Sequence, residues 1–481
     1  MSVLPEIIQG GMGVAVSSFK LARTVSQQGQ LGVVSGTALD LVLARRLQRG
    51  DPGGHLRRAL GHFPDPALAQ RVLDSYFVPG GEFCDAPFAE TPMFTAAPAR
   101  KRQELAVAGG FVEVFLAKEG HAGLVGINFL EKIQLPTPAT LYGALLAHVD
   151  YVLVGAGIPK DIPGLLDGLC RHEAVTLPLH VTGAAPEDRF EMRFDPRQVM
   201  SSPETPLPRP RFLAIIASAT LALSLVKRAS GVDGFVVEGP TAGGHNAPPR
   251  GPLMLEQGQP VYGPRDAVDL GKLRELGLPF WLAGSCASPE GLTQARAEGA
   301  AGVQVGTAYA LSSESGLDPK LRARLLESVE RGTARVFTDP YASPTGFPFK
   351  VVELAGTLSE AAVYEARERR CDLGYLRELY RRADGSLGYR CPGEPVADYL
   401  RKGGRVEDTV GRKCICNGLI ATVGLGQRRA GAAEAPIVTA GDDLINLARL
   451  LPRGRHAYAA AEVTDYLLGR AGSATGQPAL A

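Results

Sequence analysis

The chain has no excess of charge of either sign: 51 lysines and arginines stand against 50 aspartates and glutamates in 481 residues. Such a balance offers no electrostatic footprint for nucleic acid or an anionic membrane, so the expected ligand is a small molecule. Cysteine is scarce and odd in number, seven in all, which argues against a disulfide framework and for reduced thiols in a cytoplasmic setting. Long apolar runs are also missing. The longest, FLAIIASATLALSLV at 212–226, falls short of the roughly eighteen residues of a membrane span and reads as a buried strand followed by a helix. The opening MSVLPEIIQGG lacks a basic stretch ahead of an apolar core, so no signal peptide is expected. There is no G-x-G-x-x-G after the first strand and no G-x-x-x-x-G-K-[ST] anywhere, which argues against a Rossmann dinucleotide fold and a P-loop nucleotidase.

What the chain does have is alternation. Short apolar, β-branched runs recur at 6–9, 31–35, 124–128, 151–155, 212–218, 234–238, 280–284 and 302–306, with amphipathic helical stretches between them. Eight buried strands with crossover helices predict an α/β fold, a (β/α)8 TIM barrel over residues 1–340. Two insertions interrupt the rhythm. One, at about 50–118, is mostly helical; the other, at about 177–210, opens with a hairpin-like alternation over 177–196. Each either roofs the site or decorates the surface. Beyond residue 340 the barrel rhythm stops, and a mixed, largely helical region is expected over 341–470, followed by a disordered tail at 471–481. The segment SPTGFPFKVVEL at 343–354 either covers the mouth of the barrel or joins the two regions, joining being the ordinary role of such a segment.

Closure of a barrel also says where function sits, because residues just past the strand C-termini line the mouth. Those residues are Gly10, Gly11 and Met12, Asn128, Gly239 to His245, Gly284 and Ser285, and Gly306 and Thr307. Three of these turns, QGGMG, AGS and QVGT, place small residues where backbone N–H groups can face an anion. Any one of them is accounted for by a tight βα turn. Jointly, with two on the successive strands seven and eight, they predict a phosphate site. The stretch VVEGPTAGGHNAPPRG at 236–251 raises a further question, since its paired glycines imply that something approaches the backbone closely.

PEIIQGGMG, GIN, VVEGPTAGGH, FWLAGS and GVQVGT occur in this order, and together they resemble the flavin-binding barrel of the nitronate monooxygenase (2-nitropropane dioxygenase) family and its enoyl-reductase relatives. The resemblance covers roughly residues 3–315. The longer chain resembles the subgroup related to enoyl reductases that act in trans for polyunsaturated-fatty-acid and polyketide synthases. It implies flavin mononucleotide, FMN, held by Asn128, Glu238, Gly243, Gly284, Gln304, Gly306 and Thr307. The strand-end turns add Gly11, Met12, Gly244 and Ser285 to the candidate cofactor site. Two positions depart from the family pattern: Ser285 stands where a second glycine is usual, and Glu238 where the simpler members have Gln.

On this resemblance the paired glycines bring the backbone close to the flavin ring and present His245 above it. With an ordinary pKa near 6.5, His245 suits removal of a proton beside a nitro group; its plainer role is a structural hydrogen bond. The expected activity is oxidation of nitronates or nitroalkanes by oxygen. The alternatives are an NAD(P)H-dependent enoyl reductase with a carrier-protein or synthase partner, and a non-catalytic flavin-barrel scaffold in a synthase complex. Cys371, Cys391, Cys414 and Cys416 lack the usual paired C-x-x-C spacing, so buried structural thiols are expected over a metal centre. Cys286 is expected to pack rather than react.

Overall fold

The computed structural model describes residues 4–81, 86–201, 204–228, 231–429, 431–451 and 454–470. The eight apolar runs form eight strands: β1 (Ile7–Gln9), β2 (Leu31–Ser35), β3 (Val125–Leu130), β4 (Tyr151–Gly155), β5 (Arg211–Ile216), β6 (Gly234–Glu238), β7 (Phe280–Ala283) and β8 (Gly302–Val305). Each pairs in parallel with its successor, and β8 closes on β1 with Ile7 opposite Val303. The result is a closed (β/α)8 barrel in simple chain order.

Period-two alternation sorts the strand side chains into two layers. Ile8, Val33, Leu153, Leu213, Val236 and Trp281 point inward and fill the barrel, while Phe280, Val237 and Val303 face the helical layer. Trp281, the single tryptophan, is fully buried and donates from Nε1 to the Pro5 carbonyl at 2.8 Å. A buried indole N–H needs such an acceptor.

The first insertion is helical, as expected, with helices at His55–Leu60, Pro66–Tyr76 and Arg100–Lys118. The last packs against helices Thr137–Leu146 and Leu39–Gln48, so this insertion thickens the barrel wall. In the second, Val175–Pro178 pairs antiparallel with Glu191–Phe194. Between them Val181–Thr182 runs parallel to Glu378–Arg381 of the C-terminal region, and Arg381 Nε meets Asp188 at 2.7 Å. This insertion therefore buttresses the C-terminal region.

Strands Val336–Asp339 and Phe349–Val352 form an antiparallel hairpin that carries the chain over the C-terminal mouth of the barrel. Helices and short strands follow, ending in helix Ala460–Leu467. The tail expected at 471–481 lies outside the described residues. Among those residues no helix is long and apolar enough to cross a membrane.

Candidate active site

The barrel mouth holds a cavity of about 240 Å³. Gly11, Met12, Asn128, Glu238, Gly243, Gly244, His245, Gly284, Ser285, Gln304, Gly306 and Thr307 all line it, so residues spread over three hundred positions meet in one place. The reason is geometric: each follows or ends a parallel strand, and every such strand delivers its C-terminus to the same rim.

The rim is not the whole site. Phe349, Tyr375, Leu376, Cys416, Thr439 to Gly441 and Asp443 line the same cavity from the opposite side. No described residue of 50–118 or 177–196 does so. The roof thus comes from the C-terminal region, and the segment 343–354 covers the mouth as well as joining the two regions. The local signal at 343–354 was its mixture of turn residues and aromatics. Residues 373–443 carry no local signal, because their place over the mouth depends on contacts with chain two hundred residues away.

The Gly243–Gly244 pair shows what approaches that backbone. A Cβ on Gly243 would stand 2.8 Å from both the Ala440 carbonyl carbon and the Gly441 nitrogen. The Gly244 N–H donates to Thr439 Oγ1 at 2.9 Å and its carbonyl accepts from Lys350 N at 2.9 Å. Gly244 has φ +80, a left-handed conformation that glycine adopts without penalty. The close neighbour on the Cβ side of Gly243 is the 439–441 loop, while both glycines also line the cavity. Thr307 is similarly engaged, since its Oγ1 accepts from the Gly441 N–H at 2.9 Å.

Lys350, only 2 % exposed, anchors the roof. Its Nζ donates to Thr338 Oγ1 at 2.8 Å and to Asp442 at 2.6 Å, so a buried ammonium ties the hairpin to the loop that meets Gly243.

Two titratable groups on the rim are pushed in opposite directions. Glu238 ends β6 and has no hydrogen-bond or ion-pair partner among the described residues; burial raises its carboxyl to about 7. His245 is lowered to about 4, also by burial. Removing a group from water disfavours whichever form is charged, which is the anion for one and the cation for the other. The His245 Nε2 lies 2.7 Å from Ser343 Oγ, and its ring meets Phe349 at 4.8 Å between centroids. His245 is thus a neutral imidazole held by the roof, and near pH 7 the group poised to exchange a proton is Glu238.

The remaining rim groups are polar and uncommitted. Asn128 Oδ1 and Gln304 Oε1 are buried without a hydrogen-bond partner; the other end of the Asn128 amide donates to the Gly11 carbonyl at 3.2 Å. Ser285 has φ +53, next to Gly284 at φ +104, so the serine keeps the left-handed turn that a second glycine would make. Cys286 Sγ donates to the Gly284 carbonyl at 3.2 Å, and burial pushes its thiol up to about 11, which leaves it unreactive.

Cys371, Cys391, Cys414 and Cys416 come near one another within the roof, where Cys416 lines the cavity, and are free thiols. Burial and neighbouring thiols hold Cys414 and Cys416 above the ordinary thiol range. Among the described residues no group of three or more His, Cys, Asp or Glu side chains is placed to hold a metal ion.

Residues 209–342, which contain β5 to β8, Glu238, His245 and both glycine turns, match the family described as Nitronate monooxygenase. No curated protein matches the chain. Similar solved structures include FabK from Thermotoga maritima, at 14% identity, covering 97% of this chain and 93% of that one, with a TM-score of 0.48. Nitroalkane oxidase from Streptomyces ansochromogenes is 15% identical, with 97% and 95% covered and a TM-score of 0.43. The enoyl reductase domain of MlnA, from the macrolactin biosynthesis cluster of Bacillus amyloliquefaciens, is 10% identical, with 97% and 94% covered and a TM-score of 0.49. Residues 209–342, the part of the barrel that carries the candidate proton-handling groups, are thus similar to the nitronate monooxygenase family.

Proposed function

We propose that the protein is an FMN-dependent oxidoreductase that oxidises nitronates, and nitroalkanes through their nitronates, with molecular oxygen as the electron acceptor. The observation that carries this reading is the set of uncommitted polar groups on the rim: the orphaned oxygens of Asn128 and Gln304 and the unpaired carboxyl of Glu238. Buried polar atoms are rarely left without partners in a native protein, and a flavin ring has both N–H and carbonyl groups to offer them. The residues present fit that group. Asn128, Gln304 and Glu238 would hold the ring, and the Gly284–Ser285 and Gly306–Thr307 turns the phosphate. When bound, the flavin supplies the two-electron redox chemistry.

The chain's own residues do the rest. Glu238, titrating near 7, takes the proton from the carbon beside the nitro group. His245 stays neutral, is oriented by Ser343, and positions the substrate as a hydrogen-bonding group. Phe349, Leu376 and Leu419 on the roof keep water from that exchange and strengthen its electrostatics. A second reading, reduction of a carrier-bound enoyl group with NAD(P)H, is favoured by the same carboxyl. Near pH 7 it is protonated in about half the molecules, and in that form it can deliver a proton to carbon.

The test is anaerobic stopped-flow spectroscopy on the purified protein, offered a nitronate, NADH and NADPH separately. Bleaching of flavin absorbance by the nitronate alone is the expected result; bleaching only by a pyridine nucleotide would establish the second reading. Bound flavin that reacts with none of the three would leave a scaffold. Gly306→Val tests the cofactor itself. A Cβ there meets nothing nearer than Met12 Sδ at 3.4 Å, so the variant should fold and lose its flavin.

A further inference from the structure

A second cavity lies on the outer side of the roof. It measures about 760 Å³, roughly three times the inner one on the same measure, and falls in the range of small-molecule sites. Leu373, Tyr375 and Leu376 line both cavities, so a single layer of side chains separates them. Tyr375 is fixed in that partition: its hydroxyl donates to Asp40 Oδ1 at 2.8 Å, and Asp40 forms a buried ion pair with Arg102.

The charges around the outer cavity do not cancel. Arg390 is matched by Glu378 at 2.6 Å, and Asp408 by Arg405 at 3.0 Å. Three cations remain without a carboxylate in contact. Lys132 makes no hydrogen bond or ion pair and stands 5.6 Å from the centre of the Phe347 ring. Arg377 is held by the carbonyls of Gly374 and Phe94, at 3.1 and 2.5 Å, and lies over Tyr389. Arg412 donates Nε to the Asp408 carbonyl and Nη1 to the carbonyls of Tyr341 and Ser343. No acceptor within the described residues meets Nη1 of Arg377 or Nη2 of Arg412.

Carbonyls fix the direction of a guanidinium without neutralising it, and a partly buried guanidinium with a free N–H suits the oxygens of a phosphate. Burial lowers Arg412 despite the nearby Asp408 and Asp339, which is the cost of holding a cation there without a matching anion. Beside these cations lie Phe94, Leu135, Pro136 and Leu179, an apolar wall of no use to an inorganic ion.

We infer that the outer cavity binds a phosphate-bearing organic ligand, its phosphate held by Lys132, Arg377 and Arg412 and its apolar part along the 135–136 and 179 wall. The site is one residue from the inner chemistry. Arg412 grips the Ser343 carbonyl, and Ser343 Oγ holds His245. Occupancy outside therefore bears on the roof segment that positions His245. The inference does not require the flavin reading, since the cations and the wall belong to the C-terminal region, the second insertion and the loop after β3.

Two sources supply such a phosphate ester, a pyridine dinucleotide or a pantetheine thioester carrier, and the experiment separates them. Isothermal titration of the full-length protein with NADPH and with coenzyme A should show saturable binding of one of them, displaced by inorganic pyrophosphate. Binding of NADPH identifies a reductant; binding of coenzyme A identifies an acyl-carrier arm. Arg412→Gln and Arg377→Gln should each weaken it at least tenfold while the flavin content per chain stays as it was. Lys132→Glu guards against misfolding of the arginine variants, because Lys132 is exposed and makes no hydrogen bond; it too should weaken binding at least tenfold. Absence of binding by both probes overturns the inference. So does binding that Lys132→Glu leaves unchanged, since the phosphate would then sit elsewhere.

Discussion

At the floor of the inner cavity, Glu238, Gln304 and the two glycine turns sit at the ends of strands paired on both sides. The roof reaches the same cavity through loops held by a few hydrogen bonds: Thr439 and Gly441 on the glycine pair and Thr307, Lys350 on Gly244 and Asp442, and Ser343 on His245. The two halves therefore fail differently. A change in the floor should alter chemistry in a barrel that stays folded. A change in the roof should alter closure, and with it the dryness that shifts the floor's titrating groups.

The largest effect expected from breaking this pairing is at Glu238. Glu238→Gln should keep its flavin and lose about 10²–10⁴-fold in rate on a neutral nitroalkane, the usual contribution of a general base. A preformed nitronate, which has no such proton to lose, should be affected far less. Equal losses on both forms would make Glu238 a positioning residue.

The same variant has a stability signature that does not depend on activity. With its carboxyl held neutral to about 7 against an ordinary 4.5, the folded wild type keeps a proton that the unfolded chain releases. Stability present below pH 4.5 is thus lost as pH rises towards 7. His245, lowered from 6.5 to about 4, acts oppositely, so stability is lost as pH falls from 6.5 to 4. The two slopes offset each other between pH 4.5 and 6.5. In Glu238→Gln only the histidine slope remains, and thermal midpoints of flavin-free protein should drop more steeply on acidification than in wild type.

Gly243→Val attacks the roof. Its side chain would press on Ala440 and Gly441, and overpacking of this kind costs roughly 1–3 kcal/mol. The thermal midpoint should fall and flavin should exchange faster with solvent, while the far-ultraviolet circular dichroism of the barrel is retained. Slow, wild-type exchange would mean that the 439–441 loop does not close the site.

The smallest change sharpens the account of the floor. Ser285→Gly removes a left-handed serine costing roughly 1–2 kcal/mol and adds the backbone freedom of glycine, worth roughly 0.5–1 kcal/mol in the other direction. Stability by denaturant titration should rise by about 0.5 kcal/mol. If flavin affinity falls in the same variant, the hydroxyl itself contributes to holding the cofactor.

All eight strands and the rim residues at the ends of β1, β3, β6, β7 and β8 were legible in the chain, because period-two burial and strand-end glycines are local properties of a parallel barrel; Thr37, Ala156 and Ile215, at the ends of β2, β4 and β5, also line the cavity and carried no such signal of their own. His245 was legible as a residue of the cavity lining, but its basicity was not. Its position follows from β6, but its weak basicity follows from Phe349 and the rest of the roof. Glu238 stood out only as an unusual residue at its position. That it titrates near 7 depends on burial by segments far away in the chain.

The amino-acid sequence by itself determined the barrel, its order and the rim, since each βα unit is specified by its own thirty or so residues and parallel pairing brings the strand ends together. Only the tertiary structure decided what lies above that rim. The approach of 439–441 to Gly243, the hold of Ser343 on His245 and the partition at Tyr375 all join residues from a hundred to more than three hundred positions apart. Desolvation, which sets how Glu238 and His245 titrate, is a property of that enclosure as a whole.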